Sequence, residues 1–320
     1  MMGRRHRSVR LWLACGLALS IAGCGGSDPA REGALPRDTL LPVGGTRLWV
    51  HQEGTGDPIV VVHGGPVLDH GYMVDPLRPL ADDYRLVFFD QRLSGRSDGT
   101  VDSASVRLDT LVSDIEGIRT GLGLDRIYLL GHSWGGLLAA RYAATHPDRI
   151  RSLILVSPNP PSTAEWQEMQ AAERAAMVPA DTAGMGELRG SPEYAAREPA
   201  ALERMLQLSF RAQLADPALA DSLRFHIADD YAERSRQFGY LMPDLAGYDL
   251  TAELRGVDVP ALVMYGEEEA GAEIGAAAYR EALPGATIRI VPRAGHFLFM
   301  ERPEPFLAAA RDLLRREPRR

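Results

Sequence analysis

Six short runs of branched and aromatic residues constrain this chain most: Ile59 to Val62, Arg85 to Phe89, Arg126 to Leu130, Leu153 to Val156, Ala261 to Tyr265 and Thr287 to Val291. They read as continuous rather than alternating, the pattern of strands buried on both faces of a parallel sheet. Helical patterns at Leu108 to Leu122, Leu137 to Ala144 and Ile274 to Leu283 fall between them. Strand alternating with helix predicts an α/β fold with a mostly parallel, doubly wound sheet. Leu41 to Val50, broken by Gly44-Gly45, predicts a hairpin leading into it. From 159 to 247 the β-runs stop, and Ala, Glu, Arg, Met and Leu dominate. This stretch is expected to be a helical cap inserted into a core formed by 39–158 and 248–320. Ligands bind open α/β sheets at the carboxyl ends of the strands, so an insertion leaving at that end would stand over the site as a lid.

Gly131-His132-Ser133-Trp134-Gly135 lies directly between a predicted strand and a predicted helix. A serine on such a sharp turn is exposed and strained, and small residues two positions to either side let the backbones pass. Ser133 is therefore the expected nucleophile. On such an elbow, acid and base follow the nucleophile in chain order. His6, His51, His63 and His70 precede Ser133, His132 is its neighbour, His146 ends the elbow helix and His226 lies in the cap. His296, just past the last strand, is left as the general base. The acid is expected in Glu267-Glu268-Glu269, after the run ending at Tyr265. His63-Gly64-Gly65-Pro66 follows the first run, where the backbone N–H of Gly65 can join that of Trp134 in an oxyanion hole. Each such donor contributes about 3–4 kcal/mol to transition-state binding.

Other chemistries are excluded by residue type. All 35 basic side chains are Arg, and without Lys there is no Schiff base, P-loop or Ser-Lys dyad. The net charge of −8 gives no basic face for nucleic acid. No His-Glu-x-x-His occurs, and His51-Gln52-Glu53 has no Cys pair to complete a zinc site, so neither metal nor cofactor is expected. The two cysteines, Cys15 and Cys24, precede the body of the chain, which removes a Cys nucleophile and any disulfide within it.

The first 23 residues read as an address. Arg4-Arg5-His6-Arg7 precedes an apolar run from Leu11 to Ala22, the length of a signal-peptide core and too short to span a bilayer. The run ends Ile21-Ala22-Gly23-Cys24, which resembles the lipobox of bacterial lipoproteins. That resemblance implies cleavage before Cys24, diacylation of Cys24, a flexible tether over 24–38, and an exported, membrane-anchored protein at the periplasm or cell surface.

His63-Gly64-Gly65-Pro66, Asp90-Gln91-Arg92-Leu93-Ser94-Gly95-Arg96-Ser97 and Gly131-His132-Ser133-Trp134-Gly135-Gly136 together resemble the proline iminopeptidase branch of the α/β-hydrolases. The likeness spans most of 45–310 outside the cap. It implies an α/β-hydrolase fold and removal of an N-terminal Pro or other small residue from short peptides, with cap carboxylates holding the free ammonium. In relatives the acid turn reads Gly-x-x-Asp, which makes Glu269 the preferred acid. The chain departs from the branch at Val67 and Leu93, where Gly is usual. It also lacks the branch's Trp-Glu cap motif, which leaves Glu165, Glu168, Glu203 and Glu233 equivalent as ammonium ligands. Members of the branch that cleave esters or amides without a free amine define the alternative, a carboxylesterase or amidase. A binding module without catalysis would require a broken triad, and the Ser at the elbow argues against dehalogenase or epoxide hydrolase chemistry.

Overall fold

A computed structural model describes residues 37–65, 67–99 and 101–316. The expected signal, lipobox Cys24 and almost all of the expected tether lie outside them. Eight strands form one sheet: β1 (Asp38–Val43), β2 (Thr46–Glu53), β3 (Pro58–Val62), β4 (Arg85–Phe89), β5 (Ile127–His132), β6 (Ile150–Val156), β7 (Ala261–Gly266) and β8 (Thr287–Val291). Their order is β1-β2-β4-β3-β5-β6-β7-β8. β2 runs antiparallel to β1 and β4, and all other pairs are parallel. The β1–β2 hairpin turns on Gly44 and Gly45, both at positive φ, a conformation Gly adopts without the Cβ penalty.

Both faces of the sheet are covered. Val60, Val62, Val87, Leu129, Leu155 and Val263 pack with residues of helices Leu108–Gly121, Trp134–Thr145 and Ala272–Ala282. Their neighbours Ile59, Val61, Leu86, Phe88, Leu130 and Ile154 pack on the other side with those of helices Gly71–Leu77 and Pro303–Arg315. Two buried faces explain why the runs are continuous, since their apolar positions are buried on either side and only residues near the strand starts, such as Pro58, Arg85 and Arg151, are partly exposed. β8 is the exception: it lies at the sheet edge, and only Val291 in it is fully buried.

After β3 the chain goes to one side to make β4, then crosses to the other side to make β5. This reversal opens a crevice at the carboxyl ends of β3 and β5, where open α/β sheets bind ligands. The register aligns Val62 with Gly131 and His132 with Val156, so the loops after β3, β5 and β6 leave at one level.

Between β6 and β7 the chain is helical, with Thr163–Ala176, Pro179–Arg189, Pro199–Phe210 and Tyr231–Phe238 as the longer helices. The two ends of this insertion meet in a neck: Thr163 N–H donates to Tyr248 O (2.9 Å) and Leu250 N–H to Pro161 O (2.9 Å).

Candidate active site

Ser133 sits between β5 and the helix Trp134–Thr145 at φ 55°, ψ −123°, a region that costs about 1–3 kcal/mol and persists only where the surroundings enforce it. Ser133 N–H donates to Val156 O (3.0 Å), and Ser133 O accepts from Gly136 (2.9 Å) and Asn159 (3.1 Å). A Cβ at Gly131 would lie 2.4 Å from Gly135 O, and one at Gly135 would lie 2.3 Å from both Val62 O and His63 O. Hence only glycine lets strand, turn and helix approach this closely. Ser133 is the one residue of Gly131–Gly136 that is not buried.

His296 lies in the loop after β8. Its Nδ1 is 2.7 Å from Glu269 Oε1, with 6% and 1% of the two side chains exposed. A carboxylate can only accept here, so the ring proton sits on Nδ1 and Nε2 is left with its lone pair. Burial opposes charge on the imidazole, but Glu269, helped by Glu173 and Glu301, outweighs it and raises the pKa above its ordinary value. The other oxygen of Glu269 accepts from Ser157 Oγ (2.6 Å). Of the three adjacent glutamates, Glu267 and Glu268 are exposed and Glu269 is buried.

Gly65 has φ 69°, and a Cβ on it would meet the Leu68 side chain at 2.4 Å. Trp134 opens its helix, where the first N–H groups have no intrahelical acceptor. Gln91 ties the two loops together. Its Nε2 donates to His63 O (2.7 Å), its N–H donates to His63 Nε2 (3.1 Å), and its Oε1 accepts from Trp134 Nε1 (3.0 Å). His63 is buried, which lowers its pKa to about 4. It is thus neutral, with its proton on Nδ1 facing Gly64 O (2.9 Å).

A second chain of bonds runs behind the elbow. Gly64 N–H donates to Tyr72 Oη (2.6 Å), Tyr72 O–H then donates to His132 Nδ1 (2.7 Å), and His132 Nε2 donates to His296 O (3.0 Å). Burial, reinforced by His296, keeps His132 neutral. Ser157, Gln91, Tyr72 and His132 thus support the site in ways that sequence spacing did not indicate. Their partners lie 43 to 164 residues away, apart from the nearer links to the His63-Gly64 loop.

One group in the cap faces the same centre. Trp166, Met169 and Glu173 share the inner face of helix Thr163–Ala176 by their spacing. Met169 lies against Gly271, two residues past Glu269. Glu173 interacts electrostatically with both His296 and Glu269; burial raises its pKa most, His296 and the neighbouring Arg174 oppose that, and Glu269 adds to it. Among the described residues no cation forms an ion pair with it. The four cap glutamates weighed from sequence lie elsewhere. Glu165 accepts from Ser162, Glu203 accepts from Phe225 N–H, Glu233 pairs with Arg236 and Glu168 is exposed.

Asp69, His70 and Asp90 are clustered closely enough to suggest a metal site, but their donors are engaged. Asp90 accepts from His70 N–H (3.0 Å), His70 Nδ1 (2.6 Å) and Arg96 N–H (2.8 Å), and Asp69 accepts from His226 N–H (3.2 Å). The cluster organises the loops that follow β3 and β4.

The chain belongs to the α/β-hydrolase fold family, whose model matches residues 57–303, and within that fold it is a serine hydrolase. It is similar to the proline iminopeptidase of Heyndrickxia coagulans, 29% identical over 270 residues that cover 82% of this chain and 92% of that one. Among solved structures, a proline iminopeptidase-related protein of Thermus thermophilus superposes with TM-score 0.63 at 26% identity, covering 87% and 96% of the two chains. A thermophilic esterase of Thermogutta terrifontis shares the fold at TM-score 0.60 and 24% identity, covering 88% and 99%.

Proposed function

We propose that this protein is an aminopeptidase that removes proline or another small residue from the free amino end of short peptides. Ser133 Oγ attacks the scissile carbonyl as His296 Nε2 takes its proton, and Glu269 holds the imidazolium. The N–H groups of Gly65 and Trp134 receive the oxyanion. His296 then returns the proton to the leaving amine, and water releases the acyl group through the same base.

The observation that carries the substrate class is Glu173. A part-buried carboxylate that lacks an ion-pair partner among the described residues, beside a reaction that develops negative charge, is unfavourable for a neutral ester, because it opposes the oxyanion. A substrate ammonium one residue's breadth from the scissile carbonyl compensates it. Glu173→Gln is therefore expected to raise KM for prolyl 4-nitroanilide at least tenfold while leaving hydrolysis of 4-nitrophenyl acetate as fast as in wild type or faster, the loss of one charge-assisted hydrogen bond being worth roughly 1.5–3 kcal/mol. Equal effects on both substrates would remove Glu173 from amine binding.

We further propose export and lipid anchoring through Cys24, which the basic start, apolar run and lipobox-like ending support. Wild type is expected in the membrane fraction of a bacterial host and Cys24→Ala in the soluble fraction. A wild type that is already soluble would overturn this reading.

A further inference from the structure

Cap and histidine loop share one carboxylate. Glu301 ends the short helix Leu298–Glu301, and its side chain turns back over the loop that carries His296. One oxygen accepts from Gly295 N–H (2.7 Å). The other accepts from Ala215 N–H (2.7 Å), which belongs to the cap. Beside them His296 N–H donates to Gln213 O (2.7 Å). A Cβ at Gly295 would lie 2.3 Å from Gln213 O and 2.8 Å from Ala215 N, so the two main chains run in contact. A part-buried carboxylate whose oxygens go to N–H groups of two different elements joins those elements, and charge-assisted bonds of this kind are about twice as strong as neutral ones.

We propose that Glu301 is a positioning residue for the reaction: it locks cap residues 213–216 to the His296 loop, so the base is held in its working orientation by the seated cap. The ionisable groups facing His296 are Glu269 from the turn after β7, Glu173 from the first cap helix, neutral His132 from the elbow and Glu301 from its own loop. Removing Glu301 thus takes away one of three negative charges as well as the joint. This role rests on His296 acting as the general base.

The test uses the full chain with Glu301→Gln and Glu301→Ala, assayed on 4-nitrophenyl acetate across pH, with active sites counted by a fluorophosphonate. Glutamine keeps the shape of the side chain but turns an NH2 toward one of the two N–H donors. If the alanine variant does not fold, the glutamine variant decides. The expected result is a fall in kcat per titrated site of about 10- to 100-fold, as a misplacement of about 1 Å produces, together with an acid limb of kcat/KM moved to lower pH. A kcat per titrated site within twofold of wild type, with an unmoved acid limb, would overturn the proposal. His296→Ala, run alongside, separates the two ideas. Activity retained there overturns the base itself and this role with it, whereas an inactive His296→Ala beside a normal Glu301→Gln overturns this role alone.

Discussion

Glu269 shows how one carboxylate among three becomes the partner of a histidine. It is buried, accepts from His296 and Ser157, and follows a turn in which its neighbours face solvent. Glu269→Gln is expected to lower kcat by up to about 10⁴-fold, the scale known for a triad acid made neutral, while Glu268→Gln changes it by less than about twofold; steady-state kinetics on one ester would check the ranking. The pH dependence follows from the sign of the shift. His296 works as a base only when neutral, and its pKa is raised, so kcat/KM is expected to climb through a pKa above the ordinary imidazole value. In Glu269→Gln that limb is expected to move down. Two other single residues carry strain. Val67 and Leu93, the positions that depart from the glycine usual in the family, both have φ 63°. The family pattern thus marks a backbone demand that this chain meets with side chains, at roughly 1–2 kcal/mol each. At both sites the Gly variant is expected to be more stable than the Ala variant by about 1 kcal/mol in urea titration, the reverse of the ordinary order. An Ala variant as stable as Gly would show that the strain is absent.

Among the elements, the elbow was legible because its chemistry is local: strand, turn and helix lie within 19 residues, from Ile127 to Thr145. The histidine was legible through chain order. Position alone narrowed the acid to a triplet, since which glutamate turns inward depends on how the turn after β7 lies against Ala294 and Gly266; within the triplet the family's turn pattern preferred Glu269. Glu173 was not legible at all. The cap has many glutamates, and only its packing on the Glu269–Gly271 turn selects the one on the inner face. β8 read as a buried strand, but it lies at an edge where solvent reaches most of its side chains. Gly135→Ala probes the elbow as an element. With a Cβ 2.3 Å from two carbonyl oxygens, it is expected to lose about 1–3 kcal/mol of stability in urea, as overpacking does, and most of its activity. A Gly135→Ala protein as stable and active as wild type would mean the close approach is not needed.

At the scale of the whole molecule, the sheet supplies the floor of the site and the cap is fastened to it at several points. Arg234, largely buried, donates to Gly95 O (3.2 Å) and Ser97 O (3.0 Å), while Asp69 and His296 take up cap backbone groups. The loop after β4 is itself pinned to helix Leu108–Gly121 by Arg92 and Asp114, which meet at 2.6 and 2.7 Å with both side chains at most 2% exposed. Asp114→Asn would leave that guanidinium without its counter-charge and is expected to cost about 3–5 kcal/mol, measurable as a lower urea midpoint. Gln91, next in the chain to Arg92, reaches both His63 and Trp134, so this loss should also lower kcat.

The central claim, a triad that works on substrates carrying a free amine, is tested most directly by wild-type protein on two amides that differ in one group. Prolyl 4-nitroanilide and its N-acetyl form present the same scissile bond with and without the ammonium. The expected result is turnover of the free-amine amide at least 100-fold faster in kcat/KM, abolished in Ser133→Ala. Equal turnover of the two, or turnover confined to simple esters, would overturn the aminopeptidase reading while leaving the serine chemistry in place.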